Sequence, residues 1–215
     1  MKYKHIVLDL DATLIHSIQK DQTAIKIIKT DPQYSYLKER SRIIEVVDLP
    51  DNSEKGSGSI ISFIVVLRPY VFEFIDFLMK NFKHVSIYSA GQKRYVRAIE
   101  SILFPVNSDI YKEKFKTVLT FCHVEFTQTK NHLISLKDLE RVGFDLKDTL
   151  IIDDNPTSFG KNPQNVIHIP AYTPELNKEQ IMKDDKTLLN IKIWMEKHIL
   201  YEGDIRHLDK TNACY

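Results

Sequence analysis

The chain has 215 residues, enough for one sizeable domain with a real core or one domain carrying an insertion. Hydrophobic side chains make up 43% and charged ones 27%, the balance of an ordinary globular protein. With 30 basic against 29 acidic side chains and scarce glycine, neither a nucleic-acid-binding surface, a phosphate-cradling Gly-rich loop nor a dinucleotide fingerprint is expected.

The first apolar run, Ile6 to Leu10, reads as a buried strand. It delivers two aspartates two residues apart and then a threonine. Residues at i and i+2 of an extended segment point the same way, so Asp9 and Asp11 can face one cleft while Leu8 and Leu10 face packing. That pairing suits a nucleophile and a proton carrier, although acids capping an ordinary strand end would give the same local pattern.

Residues Gln19 to Arg42 carry Pro32 and several tyrosines without clear periodicity. Ile43 to Leu49 and Ile60 to Leu67 are β-branched runs flanking a polar turn from Pro50 to Ser59, which predicts a β-hairpin inserted after the first strand, within about residues 18–66. The run from Ile60, broken by Ser62, is far too short to cross a bilayer, and the N-terminus lacks the pattern of a signal peptide. The expected address is intracellular, with nucleus and cytoplasm both open and no membrane partner.

Arg68-Pro69 opens a helix with Val71, Phe74, Ile75 and Leu78 on one face. A strand from Val85 to Tyr88 follows and ends in Ser89-Ala90-Gly91, a hydroxyl and turn-forming amides. Gln92 to Leu103 is again helical, with Tyr95, Ala98, Ile99 and Ile102 in its stripe. Lys112, Lys114 and Lys116 alternate around Glu113, the pattern of a solvated face. Lys137 precedes a short helix through Asp138, Leu139 and Val142 that Gly143 would end.

Leu150 to Ile152 is a third strand, and it runs into Asp153-Asp154-Asn155-Pro156. Adjacent carboxylates at a strand end suit a hard divalent cation such as magnesium, bound jointly with a substrate phosphate. Val166 to Ile169 is a fourth strand. A last helix, capped by Asp184 or Asp185, carries Leu188, Ile191, Trp194 or Met195, and His198, with Gly203 as its stop and Trp194 as core. Residues 202–215 read as a tail. Cys122 lies in an apolar stretch and Cys214 near a terminus expected to fray, so no disulfide framework is predicted, and no Cys or His cluster has zinc spacing.

Strands alternating with helices imply an α/β fold, a parallel sheet covered on both faces, with its ligand site beyond the strands' carboxyl ends. Aspartate pair, strand-end hydroxyl, lysine and acidic pair occur in that chain order, each where such a sheet presents its active edge. Jointly they resemble the haloacid dehalogenase superfamily of phosphohydrolases. Asp9-Leu10-Asp11-Ala12-Thr13-Leu14-Ile15-His16-Ser17 resembles the extended first motif of the small phosphatases of the RNA polymerase II carboxy-terminal domain, the NLI-interacting-factor-like family. Arg68-Pro69 with Glu73-Phe74, Lys137-Asp138-Leu139 with Gly143, and Ile152-Asp153-Asp154-Asn155-Pro156 are similar to that group as well.

The resemblance implies a three-layer, Rossmann-like parallel sheet with a small β-hairpin insertion and no large cap, over residues 1–201. It implies a magnesium-dependent protein serine/threonine phosphatase working through an aspartyl-phosphate. Asp9 would be the nucleophile and Asp11 the acid and base. Mg²⁺ would be held by Asp9, the Asp11 carbonyl, Asp153 and Asp154. Ser89 and Lys137 would bind phosphoryl oxygens; Thr13 would orient the first loop beside the phosphate. A cap-less site suits an extended phosphopeptide such as the polymerase carboxy-terminal domain, with Ile43, Val46, Ile64 and Tyr88 as candidates for an apolar wall that reads a proline beside the phosphoserine.

The sequence departs from the family's pattern in three places. Serine stands at position 89 where threonine is usual, Leu119 replaces a basic residue three positions before Cys122, and the stretch from His123 to Leu136 is longer than usual. The doubly phosphorylated heptad is therefore not a secure substrate. A phosphatase of a small phosphomonoester or nucleic-acid end, and a silent interaction module, are the alternatives.

Overall fold

The computed structural model describes residues 4–19, 35–48, 58–128, 133–174, 185–198 and 201–215. Its elements run β1 (His5–Leu8), β2 (Ile15–Gln19), α1 (Ser35–Arg40), β3 (Ser41–Val47), β4 (Ile60–Leu67), α2 (Val71–Asn81), β5 (His84–Tyr88) and α3 (Lys93–Leu103). They continue with α4 (Asp109–Lys114), β6 (Phe115–Leu119), β7 (Glu125–Gln128), β8 (Leu133–Leu136), β9 (Thr149–Asp153), β10 (Val166–His168) and α5 (Thr187–Lys197).

Five strands form a parallel sheet in the order β10-β9-β1-β5-β6. Alternation within β1 explains how it is covered on two sides. Ile6 and Leu8 point into the main core with Val85, Ile87, Leu150 and Ile152, where α2, α3 and α5 supply Phe74, Leu78, Val96, Ile99, Leu188 and Met195. Val7 points to the opposite face with Tyr88 and Ile151, packed by Leu139, Phe144 and Phe159. The expected layers are present, but among the described residues that second face is covered by turns rather than by helices. Gly143, Pro156, Gly160 and Pro163 interrupt the chain there too often for a helix to propagate.

For the same reason, residues 138–143 make a single turn where a short helix is expected. Gly143 N–H reaches the Glu140 carbonyl at 3.0 Å, and Gly143, at φ 88°, turns the chain out of helical conformation. Strand β6 is absent from the sequence reading because Phe115 to Leu119 is short and carries Lys116 on an exposed sheet edge, where lysine guards against edge pairing. Lys112 and Lys114 belong to α4 beside it and lie 3.7 Å and 3.9 Å from Asp109 and Glu113.

The insertion is a three-stranded antiparallel sheet, β2-β4-β3, rather than a hairpin alone. The expected pairing of β3 with β4 is present, from Ser41 opposite Val66 to Val47 opposite Ile60. Strand β2 adds to the far side of β4, with Ser17 opposite Val65 and Gln19 opposite Phe63. The turn between β3 and β4 falls mostly outside the described residues, as do residues 20–34.

The C-terminal segment packs on the core rather than forming a tail. Ile205, Ala213 and Cys214 are buried in the main core, the Asn190 amide donates to the Cys214 carbonyl at 3.0 Å, and Lys4 donates to the Gly203 carbonyl at 2.9 Å. Helix α5 stops at Lys197, before Gly203, and the Asp185 carboxylate accepts the Thr187 N–H at 2.9 Å near its start. Trp194 is buried as expected.

Candidate active site

The sheet's central strand sets the site. Chain connections leave β1 toward β5 on one side and β9 on the other, so the carboxyl end of β1 lies at a switch point where loops diverge. Leu8 is in register with Ile87 and Ile152, and Asp9 N–H continues the ladder to the Ile152 carbonyl at 3.0 Å. One residue further along each strand come Asp9 and Asp153, with Ser89 two beyond Ile87.

After Asp9 the chain folds tightly. The Leu10 carbonyl accepts the N–H groups of Thr13, Leu14 and Ile15 at 3.2, 2.8 and 3.1 Å, and Ala12 is held at φ 58°. A left-handed alanine is strained, and its neighbours hold it there: the Ala12 carbonyl accepts Tyr172 N–H at 2.7 Å. Arg68, fully buried, fixes the next residue by donating to the Thr13 carbonyl at 3.0 Å.

A cavity of about 210 Å³ opens at this edge, lined by Asp9, Asp11, Ser89, Ala90, Gly91, Ser135, Lys137, Asp153, Asp154, Asn155 and Ser158. Lys137 lies at its base, 2.5 Å from Asp9 Oδ1 and 2.7 Å from Asp153 Oδ2. Its backbone is pinned by an N–H bond to the Ser158 carbonyl at 2.6 Å. Burial alone would lower the lysine's pKa, but the two carboxylates together raise it, so the ammonium is retained. Burial pushes the Asp9 carboxyl up to about 7 against the pull of Lys137. Burial also raises Asp11 and Asp154, opposed by hydrogen bonds from Tyr95 and Thr13 respectively.

Six of the seven residues selected from sequence line this one cavity. The seventh, Thr13, is fully buried and engages Asp154 twice. Its hydroxyl donates to Asp154 Oδ1 at 3.0 Å and accepts Asp154 N–H at 3.2 Å. It therefore holds the acid of one loop against the other rather than facing a phosphate. Ser89 is buried, and its Oγ accepts Gly91 N–H at 3.0 Å, leaving its own hydroxyl hydrogen for a ligand.

Carboxylate oxygens of Asp9, Asp153 and Asp154 lie within 4.8 Å of one another. Three carboxylates with a single buried ammonium form an all-oxygen donor set with excess negative charge, which fits a divalent hard cation. Asp153 is already committed, one oxygen to Lys137 and the other to Asn155 N–H at 2.8 Å. Asp9 and Asp154 retain more free lone pairs.

A second cavity, about 360 Å³, adjoins the first and shares Asp11 with it. Val46, Val47, Ile61 and Phe63 of the insertion and Tyr95 of α3 form its apolar wall, with Asp48, Gln92 and Arg94 also lining it. Of the four candidate wall residues, only Val46 is in it. Ile43 and Ile64 are direct partners across β3 and β4, one position off Val46 in parity, so they point to the other side of the pleat. Tyr88 is fully buried on the second face of the main sheet and donates to the His123 carbonyl at 2.8 Å.

Sequence reasoning placed Asn155 in the strand-end motif without giving it a role and missed Ser135 and Ser158, which line the first cavity without any distinctive spacing. Leu119 is buried in the core, where its carbonyl accepts Ser89 N–H at 3.0 Å. No basic side chain is therefore supplied from that position.

The family model for NLI interacting factor-like phosphatases matches residues 4–206. The chain belongs to that family. Its members are phosphoric monoester hydrolases, protein phosphatases of the haloacid-dehalogenase-like fold. Among curated relatives of this family, a putative CTD phosphatase-like protein of Invertebrate iridescent virus 3 is 28% identical over 201 residues, covering 89% of this chain and 98% of the relative. A probable C-terminal domain small phosphatase of Dictyostelium discoideum is 29% identical over 204 residues, covering 94% of this chain and 53% of the relative. The chain thus spans nearly the whole viral protein but about half of the Dictyostelium one. The fission yeast RNA polymerase II CTD phosphatase Fcp1, solved bound to beryllium fluoride, has the same fold with a TM-score of 0.62 at 20% identity, over 93% of this chain and 53% of that one. No helix among the described residues is long and apolar enough to cross a membrane.

Proposed function

We propose that this chain is a magnesium-dependent protein serine/threonine phosphatase that works through an aspartyl-phosphate and acts on phosphoserine peptides, of which the RNA polymerase II carboxy-terminal domain is the model. The observation that carries the reading is the convergence of Asp9, Asp11, Lys137, Asp153 and Asp154 on one open cavity.

Asp9 attacks phosphorus in line, and the leaving serine oxygen takes a proton from Asp11 as the P–O bond breaks. Asp11 then removes a proton from the water that hydrolyses the acyl phosphate, which returns both carboxyls to their starting states. Lys137 and Ser89 bind the transferring phosphoryl oxygens. Asp9, Asp154, Asp153 and the Asp11 backbone carbonyl would hold Mg²⁺, which supplies charge neutralisation between the carboxylates and the phosphate when bound. The apolar cavity beside Asp11 supports a peptide substrate, because its wall would meet the residue flanking the phosphoserine. The buried leucine at position 119 supports a singly rather than doubly phosphorylated repeat. Relatives that are CTD phosphatases support an intracellular setting, nuclear or cytoplasmic.

Phosphate release from an aryl phosphate and from proline-flanked phosphoserine peptides, with magnesium or chelator, tests the reading. Magnesium-dependent release that Asp9→Asn abolishes without unfolding the protein is expected. Release retained by that variant would remove Asp9 as nucleophile. No release from any substrate would favour an interaction module, and higher efficiency on a 5′-phosphorylated oligonucleotide would favour the nucleic-acid alternative.

A further inference from the structure

The proton donor is tied to the insertion by a side chain that none of the motifs contains. Tyr95 lies on α3, and its hydroxyl donates to Asp11 Oδ1 and lies 2.5 Å from Ser17 Oγ of β2. The Tyr95 ring packs edge-on against Phe63 of β4 at 5.3 Å between centroids. Hydroxyl, ring and helix are therefore each fixed by a different element. Ser17, Tyr95 and Asp11 form one cluster of hydroxyl and carboxyl groups, in which the phenol joins α3 to both strand β2 and the acid while Ser17 also bonds the acid directly.

We infer that Tyr95 is a positioning residue for Asp11, with Ser17 setting the Tyr95 hydroxyl, and that this cluster assigns the transferable proton to Asp11 Oδ2. The argument is one of valence. A carboxyl oxygen that accepts a phenolic hydrogen bond is a poor site for the acidic proton, so the proton resides on the other oxygen. As the scissile P–O bond breaks, the Oδ2–H bond breaks with it, and the proton goes to the departing serine oxygen. In the second half-reaction Oδ2 takes a proton from the attacking water while Oδ1 remains on Tyr95, so the carboxyl need not rotate between steps.

This inference rests on the phosphatase reading and has its own signature. The efficiency kcat/KM reports the first irreversible step, loss of the leaving group. A nitrophenolate leaves with little help from an acid, whereas a serine alkoxide needs one. Tyr95→Phe, which keeps the ring against Phe63, is expected to lower kcat/KM on a phosphoserine peptide about 10–100-fold, and by at least about tenfold more than on nitrophenyl phosphate. Ser17→Ala should shift both efficiencies in the same sense by less. Equal losses on the two substrates in both variants, or no loss on the peptide, would overturn the assignment. Wild-type protein that releases phosphate from neither substrate would instead sink the phosphatase reading, and this inference with it.

Discussion

Arg68 donates to the Thr13 carbonyl at 3.0 Å from 55 positions along the chain, joining the end of the insertion to the loop that carries Asp9 and Asp11. The same guanidinium donates to the Pro170 carbonyl at 2.9 Å and to Asp185 at 3.0 Å, and lies over the Tyr172 ring at 5.4 Å. Four segments thus share one fully buried cation. Arg68→Met would leave two carbonyls and the largely buried Asp185 carboxylate without their partner, a loss of about 3–5 kcal/mol. At about 2–4 °C per kcal/mol for a chain of this size, the midpoint in a thermal melt should fall by roughly 10 °C. Arg68→Lys should recover little, because an ammonium cannot reproduce a planar fork on three acceptors. A full recovery by lysine would show that charge alone matters.

Asp154 is the more available of the two strand-end acids, and this separates its role from that of Asp153. In Asp154→Ala the Thr13 hydroxyl keeps its bond with the backbone N–H of position 154, so the loop contact survives in part. Magnesium should raise the thermal midpoint of the wild type, by the equivalent of about 2.7 kcal/mol at a concentration 100 times the dissociation constant. The alanine variant should lose most of that increment while melting close to the wild type in chelator. An undiminished magnesium increment would assign the ion to other ligands.

The residues that bear formal chemistry were legible because each sits at the end of an apolar run, where sequence order and strand periodicity carry the information. Asp9, Asp11, Ser89, Asp153 and Asp154 were found that way, Lys137 from its place in the chain order between them, and they meet. What sequence could not supply is parity and depth. Ile43 and Val46 both look like wall residues until the register fixes which side of the pleat each occupies. Tyr95 reads as one more apolar position in a helical stripe, since spacing shows that its ring packs inward but not that its hydroxyl meets Asp11. Strand β2 was invisible because Ile15-His16-Ser17-Ile18-Gln19 is stabilised by pairing with β4, some fifty residues away, rather than by local propensity.

At the opposite end of the sheet, His5 packs edge-on against His84 with 4.6 Å between ring centroids. Burial first, then the neighbouring His84, Lys116 and Lys83, lower the His5 pKa to about 4, whereas Asp148 raises it slightly. In the unfolded chain this imidazole titrates near 6.5. Above that pH both states are neutral and the group contributes no pH dependence. As pH falls from 6.5 toward 4, the unfolded chain binds a proton that the folded one refuses, so stability is lost across that window and levels off below it. The loss should be about 1–2 kcal/mol after allowance for partial exposure. Denaturant melts of wild type and His5→Phe between pH 7 and 4 should diverge by that amount, and parallel curves would contradict it.

The two thiols test whether the last residues are packed. Cys214 is buried, its Sγ lies 3.5 Å from the His168 carbonyl, and burial pushes its thiol up to about 11. Cys122 is exposed in the turn that follows β6. Because the thiolate is the nucleophile, iodoacetamide at pH 8 should alkylate one thiol quickly in the native protein and the second only on unfolding. Cys122→Ser should abolish the fast phase. The slow thiol then reports the opening of the segment that anchors Ala213 against the core, so its alkylation rate should rise in Asn190→Ala, which removes the amide bonded to the Cys214 carbonyl. Two thiols alkylated at equal rates in the native protein would mean that the C-terminal residues fray after all.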